Sequence, residues 1–263
     1  MKLQIFVGFI IIILFLYVYY NFSCIEGFYQ PTTKAMIIIE PRKHPLLKKV
    51  IENFNKHMDP SWDLYVFHGL SFEDYAKECT SNIMSRNVIL KQLDYDNMSA
   101  TDYNTLFKKK HFWNKINAED ILVFQTDSVL CGGSYKTIND YIKYDYIGCS
   151  YDNKVIGDKM FRYWNPQYHF YGIGGLSFRK KSFMIQCINN NPSVPDNFPE
   201  DMFFSQCVAK SSNRPPTAKV LNQFCTQFVF KEESWGAHKT NVDLQNKDEF
   251  YEYCPEARML ESY

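Results

Sequence analysis

Residues 121–131 read Ile-Leu-Val-Phe-Gln-Thr-Asp-Ser-Val-Leu-Cys. The segment begins with a short continuous apolar run, which is typical of a strand buried on both faces of a parallel sheet. The run ends at Gln125, and Asp127 follows. Because ligands of open α/β sheets bind beyond the carboxyl ends of the strands, Asp127 is a candidate to hold a metal ion on a phosphate group. The alternative is a strand that ends in an ordinary Asp-Ser turn.

Apolar runs and helical patterns alternate along the first half of the chain. Strands are predicted at residues 35–40, 63–67 and 88–93, and helices at 44–58, from 71 and at 99–116. Ser71 and Ser99 each start a capping box, which indicates the N-terminus of a helix. This alternation predicts the α/β class, with a mainly parallel sheet flanked by helices. We expect one domain over residues 35–263.

The second half of the chain is less regular. A short helix and a strand are predicted within residues 141–149, a helix at 180–190, and a strand-like segment at 218–230. The tail from Asp248 is predicted to be a helix packed on the outside of the domain. Residues 150–170 are expected to form a long surface loop, and long loops often form lids or binding surfaces. Four aromatic side chains of this loop would either stack on a ligand or pack within the loop: Tyr151, Tyr163, Trp164 and Tyr168.

Composition excludes some functions. The chain has 263 residues, of which 46% are hydrophobic, so it can bury a sizeable core. Lys plus Arg and Asp plus Glu both total 29, which argues against a nucleic-acid-binding protein with a strong basic excess. Eight cysteines are present without a Cys-x-x-Cys spacing, so a structural zinc site of the usual kind is not expected. Disulfides are possible in an oxidising lumen, but the sequence does not give their pairing.

The N-terminus carries a candidate membrane segment. Lys2 precedes an apolar run from residue 5 to residue 20, which ends in tyrosines suited to a membrane interface. We predict an uncleaved signal-anchor transmembrane helix at residues 1–21, followed by a short stem at 22–34. A cleaved signal peptide is the alternative, although no small-x-small cleavage site follows the run.

The membrane segment implies an orientation for the rest of the chain. The charge of Lys2 places the N-terminus in the cytoplasm and the C-terminal domain in a lumen, as in the endoplasmic reticulum or Golgi. Glycosylation sequons at Asn21 and Asn97 are consistent with that orientation.

Three further motifs carry candidate site residues. Gly174 and Gly175 allow a ligand to approach the backbone closely, or they form a structural turn. Glu200 and Asp201 follow a proline and are either a carboxylate pair at the lip of a cleft, with one acting as a general base, or ordinary acidic residues at a helix N-terminus. His238 lies in a Gly-bearing loop and is either a metal ligand or a surface histidine.

The order of these motifs resembles that of glycosyltransferases of the GT-A fold. More closely, it is similar to a family of small GT-A-like domains that share Gln-Thr-Asp, Gly-Gly-Leu-Ser and Glu-Asp-x-Phe-Phe segments. The resemblance covers about residues 35–240 and ends in Trp-Gly-Ala-His-Lys. It implies a single GT-A-like, Rossmann-like domain.

The resemblance implies a donor and metal site. Such enzymes hold a divalent metal on the diphosphate of a nucleotide sugar with an Asp-x-Asp motif. Here Gln125 stands at the first carboxylate, and Asp127 remains as the ligand. His238 would add a nitrogen ligand, and Lys239 would lie near the diphosphate. Mn²⁺ is expected more than Mg²⁺, because the ligands combine oxygen and imidazole.

The resemblance also implies roles for the other motifs. Gly174 and Gly175 would form a loop along the donor or acceptor sugar. The pair Glu200 and Asp201 matches the acidic motif in which inverting members keep their general base, and Asp201 is the expected base.

These roles predict a metal-assisted, inverting glycosyltransferase that moves a sugar from a nucleotide-sugar donor to a hydroxyl of a glycan, protein or lipid. The metal would neutralise the leaving diphosphate, and a carboxylate would deprotonate the acceptor. A non-catalytic, membrane-anchored domain of the same fold that binds nucleotide or glycan is the alternative, since Gln125 replaces a carboxylate. A third hypothesis is a membrane-anchored scaffold that uses its aromatic surface for protein contacts.

Overall fold

The computed structural model describes residues 34–151, 170–231 and 233–262. The predicted anchor at residues 1–21, nearly all of the stem and residues 152–169 of the predicted loop lie outside these ranges. Within these ranges, none of the helices combines the length and the apolar character needed to cross a bilayer. Tyr151, at the start of the predicted loop, packs edge to face on Phe170, with ring centroids 4.8 Å apart.

The described residues form a six-stranded main sheet and a three-stranded small sheet. The strands are β1 (Lys34–Glu40), β2 (Asp63–His68), β3 (Val88–Gln92), β4 (Asp120–Phe124), β5 (Ser128–Leu130), β6 (Tyr146–Cys149), β7 (Ile173–Lys180), β8 (Cys225–Thr226) and β9 (Gly236–His238). The main sheet has the order β3-β2-β1-β4-β7-β6, and the small sheet has the order β5-β9-β8. Strands β3, β2, β1 and β4 are parallel, whereas β7 is antiparallel to both β4 and β6. The predicted α/β class with a mainly parallel, mixed sheet is confirmed.

Helices cover both faces of the main sheet. The α-helices in the described ranges are α1 (Leu47–His57), α2 (Glu73–Thr80), α3 (Ala100–Phe107), α4 (Lys110–Trp113), α5 (Lys181–Asn190), α6 (Glu200–Ser211), α7 (Ala218–Phe224) and α8 (Lys247–Tyr253). Short 3-10 helices lie at Ile138–Asp140 and Pro255–Ser262.

The apolar run of β1, from Ala35 to Ile39, is buried on both faces of the sheet. Met36 and Ile38 join the cluster that contains α1, whereas Ile37 joins the cluster on the opposite face, which contains α3 to α6. All three side chains are fully buried. Because successive side chains of a strand point to opposite faces, a strand covered on both sides needs apolar residues at every position. Each such side chain contributes roughly 1.5–3 kcal/mol to folding.

Two capping predictions have different outcomes. Ser99 caps α3 in a capping box with Asp102, as predicted. Ser71 does not cap α2, because that helix begins after Phe72 without a side-chain cap. The hydroxyl of Ser71 instead donates to Asp96, over 2.6 Å, and this contact ties two loops at the same sheet edge.

Two other local predictions are corrected by the structure. Residues 218–230 are not mainly a strand: they form α7, capped by Thr217, and the two-residue β8. Gly174 and Gly175 lie inside β7 rather than in a loop. The C-terminal tail is helical, as predicted, and it buries Phe250 and Leu260 while Asp248 and Glu261 stay exposed.

Two disulfides join distant parts of the chain. One links Cys131, directly after β5, to Cys254 in the tail, and the other links Cys149 of β6 to Cys225 of β8. The second bond therefore connects the main sheet to the small sheet. Among the described residues, three buried cysteines remain free: Cys79, Cys187 and Cys207.

Candidate active site

The candidate site lies at the carboxyl edge of the parallel strands. Strand β4 ends at Phe124, which pairs with Leu176 of the antiparallel β7. Gly175 therefore lies opposite the residues that follow β4. Ser128 begins β5 and pairs with His238 of β9, so the small sheet brings the end of the chain to the same edge.

Asp127 and His238 are in contact. Nε2 of His238 lies 3.2 Å from Oδ1 of Asp127 and 3.2 Å from Oε1 of Gln125. Only 3% of the His238 side chain is exposed, compared with 30% for Asp127, so Asp127 is the member of the pair that solvent reaches. The structure thus brings together these three predicted site residues.

A chain of hydrogen bonds orients the imidazole of His238. Nδ1 of His238 lies 2.9 Å from Oε1 of Gln227, and Nε2 of Gln227 donates to Oδ2 of Asp243 over 2.7 Å. The bond to Asp243 fixes the Gln227 amide with its oxygen toward the histidine. Nδ1 is therefore the hydrogen-bond donor to Gln227, and Nε2 is the ring nitrogen that faces Asp127 and Gln125.

These atoms suit a divalent cation. Oδ1 of Asp127 is buried without a hydrogen-bond partner. Nε2 of His238 and the amide oxygen of Gln125 lie beside this oxygen, and mixed nitrogen and oxygen donors are acceptable to Mn²⁺. Within the described ranges, no cluster of three His, Cys, Asp or Glu side chains forms a metal site. The remaining ligands would therefore come from the Gln125 amide, from water or from a bound anion.

Electrostatics favour an ionised Asp127. Burial acts to raise the pKa of the Asp127 carboxyl, but His238 and then Lys239 hold that pKa below its ordinary value. The backbone N–H of Lys239 donates to the carbonyl oxygen of Asp127 over 3.0 Å. Lys239 has a φ of 52°, a left-handed conformation that is uncommon for a residue other than glycine and often marks a functional turn.

A cavity of about 300 Å³ opens beside Asp127. Its lining includes the predicted residues Gln125, Asp127 and Lys239, together with Arg42, Tyr103 and Asn104, which the sequence analysis did not select. Arg42 was identifiable in principle, because it follows the end of β1 at the same edge as Asp127. Tyr103 and Asn104 lie on α3, and no local pattern marks them as site residues.

Gly175 makes room for the histidine. A Cβ atom built on Gly175 would lie 2.1 Å from Nε2 of His238, so a side chain cannot fit there without displacing the imidazole. Gly174 faces the other side of β7, where a Cβ would lie 2.2 Å from Oε1 of Glu200. The glycine pair therefore admits His238 on one face of β7 and the acidic start of α6 on the other.

Glu200 is held in a buried ion pair. Its two carboxylate oxygens accept hydrogen bonds of 2.6 and 2.9 Å from Arg179, whose side chain is completely buried. The guanidinium lies over the rings of Phe107, Tyr146 and Phe204. This arrangement favours a structural role for Glu200 over the catalytic role expected from the sequence.

Asp201 is at the same edge but does not contact Asp127 or His238. Its Oδ2 accepts a hydrogen bond of 3.4 Å from the N–H of Gly174. Burial, and then the neighbouring charge of Glu200, raises the pKa of Asp201 to about 6. Asp201 therefore lies on the α6 side of β7, one residue along the strand from the glycine that contacts His238.

Comparisons with solved structures find glycosyltransferases. The matches include the glycosyltransferase GlyE of Streptococcus pneumoniae TIGR4, at 9% identity and a TM-score of 0.43. They also include mouse xyloside xylosyltransferase 1 in its apo form, at 10% identity and a TM-score of 0.49. A third match is S. aureus TarS 1-349 in complex with UDP-GlcNAc, at 14% identity and a TM-score of 0.47.

Coverage differs among these three structures. The alignments cover 68%, 82% and 69% of this chain, in the same order. They cover 44% of the pneumococcal chain, 100% of the mouse chain and 54% of the staphylococcal chain. This chain therefore spans less than half the length of the pneumococcal protein.

Sequence comparison identifies a family. No curated protein matches the chain. A family described as "Protein of unknown function (DUF5672)" matches residues 87–240, a segment that runs from the start of β3 past His238 and Lys239. The match contains Asp127, the glycine pair and Asp201, so it includes most of the candidate site. The chain belongs to this DUF5672 family.

Proposed function

We propose that the chain is a glycosyltransferase that transfers a sugar from a nucleotide-sugar donor to an acceptor hydroxyl. The observation that carries the proposal is the contact of His238 with Asp127, which lines a cavity of about 300 Å³. The cavity lies at the carboxyl edge of a mainly parallel sheet, where ligands of such folds bind. Lys239 lines the same cavity and suits an anionic ligand.

Asp127 and His238 would hold a divalent metal ion, with Mn²⁺ preferred to Mg²⁺ because one ligand is an imidazole. When bound, the ion would act as a Lewis acid that neutralises charge on the leaving diphosphate. Gln227 keeps the imidazole in the tautomer that binds a cation, and Lys239 adds positive charge beside the anion.

Asp201 is the proposed general base. A carboxylate with a pKa of about 6 is largely ionised at neutral pH, yet it is a stronger base than an ordinary aspartate. It would accept the proton of an acceptor hydroxyl that approaches along the α6 side of β7. An inverting reaction, with a glycan, protein or lipid as the acceptor, is part of this proposal.

The proposed location is a membrane-anchored domain in an oxidising lumen of the ER or Golgi type. Two disulfides support an oxidising compartment, because such bonds rarely persist in the cytosol. Asn97 of the second sequon is exposed and therefore accessible to modification. The equal numbers of basic and acidic residues remain the reason for not proposing a nucleic-acid partner.

A non-catalytic domain that binds nucleotide or glycan is the second candidate function. Two observations favour it: Gln125 stands where a second carboxylate would strengthen the metal site, and Asp201 is separated by β7 from the Asp127–His238 contact. This candidate requires ligand binding without sugar transfer.

Thermal melting with nucleoside diphosphates tests the proposal. UDP, GDP, CDP and ADP are added with and without Mn²⁺ to the wild type, Asp127→Asn and the exposed control Asp248→Asn. A ligand at about 100 times its Kd should raise the Tm of the wild type and the control by roughly 5–10 °C. The shift should require Mn²⁺ and vanish in Asp127→Asn.

Activity then separates the two candidates. Release of nucleoside diphosphate from sugar donors, measured with added acceptors, should be lost in Asp127→Asn and retained in Asp248→Asn. Equal release by wild type and Asp127→Asn would refute the catalytic proposal. A Mn²⁺-dependent shift without turnover would instead establish the binding domain.

A further inference from the structure

Tyr103 presents a buried hydroxyl to the candidate donor cavity. The residue lies on α3, and its side chain lines the cavity together with Gln125 and Asp127. In the part of the chain that the structure describes, its Oη atom is inaccessible to solvent and makes no hydrogen bond of regular geometry, although the side chain of Gln125 lies close enough for a weak one. The ring packs against Phe107, with centroids 4.8 Å apart.

This hydroxyl is not required for packing. A buried hydroxyl without a partner loses its hydrogen bonds to water and destabilises the fold, whereas a phenylalanine would keep the ring contact without that cost. Burial and the neighbouring Glu200 also raise the pKa of Tyr103 well above its ordinary value, so the oxygen keeps its proton. The group is therefore a hydrogen-bond donor without a well-placed acceptor.

Hydrogen bonds at two points hold the helix that carries Tyr103 in place. Ser99 and Asp102 form the capping box at its start. Next to Tyr103, Asn104 accepts a hydrogen bond of 3.0 Å from the backbone N–H of Glu200, at the start of α6. The hydroxyl is thus held in place before any ligand arrives, which lowers the entropic cost of forming a bond to one.

We propose that Tyr103 contacts the donor and gives its hydroxyl proton in a hydrogen bond to an oxygen atom of a diphosphate bound beside Asp127. The assignment rests on the proposed function, because the cavity is taken as the diphosphate site. It adds a residue of α3 to the residues from the ends of β4 and β9. It also makes Tyr103 a determinant of affinity for the phosphate part of the donor.

The test compares two tyrosines by the same substitution. Tyr103→Phe removes a hydroxyl that makes no hydrogen bond of regular geometry, whereas Tyr141→Phe removes one that donates to the carbonyl of Gln223 over 2.6 Å. Calorimetric titration with UDP, GDP, CDP and ADP in the presence of Mn²⁺ gives Kd for the wild type and both variants. Melting without ligand gives their stability.

We expect Tyr103→Phe to raise Kd for the bound nucleoside diphosphate about tenfold or more, since hydrogen bonds to charged groups are the stronger ones. Its Tm without ligand should equal or exceed that of the wild type. Tyr141→Phe should lower the Tm without changing Kd.

Two results would overturn this assignment while leaving the proposed function intact. An unchanged Kd in Tyr103→Phe would show that the hydroxyl does not contact the diphosphate, even if binding of the intact nucleotide sugar were weaker. A lower Tm of Tyr103→Phe without ligand would assign the hydroxyl a structural role. Absence of binding to the folded wild type by any of the four nucleotides would reject both the assignment and the function.

Discussion

The imidazole Nε2 of His238 lies 3.2 Å from Oδ1 of Asp127, which joins the end of β9 to the turn after β4. Gln227 holds the opposite nitrogen of the ring. Partners of this kind usually change metal affinity by 10- to 100-fold when they are removed. We therefore expect Gln227→Met to weaken Mn²⁺ binding by a factor in that range, measured by electron paramagnetic resonance of the free ion. The same substitution at exposed Gln245 should have no effect, and equal Mn²⁺ binding in both variants would contradict the assigned tautomer.

The glycine facing His238 provides a steric test. Gly175→Ala would place a Cβ atom 2.1 Å from Nε2 and should displace the imidazole, so we expect loss of Mn²⁺ binding and destabilisation of roughly 1–3 kcal/mol. Gly133→Ala is the control, because its Cβ would have an ordinary contact of 3.4 Å with a carbonyl oxygen of Tyr253. Chemical denaturation and Mn²⁺ titration measure the two effects. Retained Mn²⁺ binding in Gly175→Ala would show that the histidine is not needed.

The buried pair of Arg179 and Glu200 predicts a large stability loss for single substitutions. Glu200→Gln leaves the guanidinium without its charged partner, and removal of one member of such a pair typically costs 3–5 kcal/mol. We expect Arg179→Met to be similarly destabilised, and the double variant Arg179→Met/Glu200→Gln to lose less stability than the sum of the two single losses. Urea denaturation measures all three.

A solvent-exposed pair serves as the control for this prediction. Glu73 and Lys77 form an ion pair one helical turn apart, and Glu73→Gln should leave the denaturation midpoint unchanged. Additive losses at Arg179 and Glu200 would show that the two side chains are not coupled.

The raised pKa of Asp201 predicts a pH-dependent stability. The folded-state pKa is about 6 and the ordinary value is 3.8, so the folded protein binds the extra proton more strongly between these pH values. The contribution of this group is therefore favourable below pH 4 and is lost as the pH rises through 6. Asp201→Asn does not titrate and should be more stable than wild type at pH 7.5 by up to about 3 kcal/mol, with little advantage at pH 4.

Denaturation at the two pH values checks this prediction. The exposed Asp248→Asn should show the same small difference from wild type at both. An advantage of Asp201→Asn that does not change with pH would contradict the burial of this carboxylate.

The bond between Cys149 and Cys225 predicts that the small sheet depends on oxidation. It closes a loop with a sequence separation of 76 residues, and loss of such a disulfide typically costs about 2–4 kcal/mol. We expect Cys149→Ala/Cys225→Ala to unfold at lower urea concentration by that amount and to bind Mn²⁺ less well, because β8 pairs with the strand that carries His238. Peptide mapping without reductant should find the two cysteines linked, and finding them as free thiols would refute the pairing.

The main sheet was predictable because its strands are covered on both faces. Continuous apolar runs such as the one before Gln125 have few other solutions in a chain of this size. Residues 218–230 were misassigned because Val220, Leu221 and Phe224 fit either a short strand or one helical turn. Thr217, which caps α7, was the overlooked signal.

The site was partly predictable for a related reason. Asp127 could be found from local sequence, because ligands bind beyond the carboxyl ends of parallel strands. The hydrogen bonds from His238 to Gln227 and from Gln227 to Asp243 depend on the tertiary fold and have no local signature. The glycines were expected in a loop or turn, since glycine lets a ligand approach the backbone closely and allows a positive φ. They remain in β7 because His238 and Glu200 approach its backbone from opposite faces. Arg179, next to the apolar Phe178 in a strand buried between layers, was an available hint that a buried acid lay nearby.

The disulfide between Cys131 and Cys254 has a practical consequence for anyone trimming this chain. The family match stops at residue 240, yet the folding unit continues beyond it. A truncation there would delete the partner of Cys131 and remove Phe250 and Leu260 from the cluster that also contains Val129 and Leu130 of β5, the strand that follows Asp127. Fragments that end at residue 240 should therefore aggregate, and a lack of activity in them would not test the proposed function.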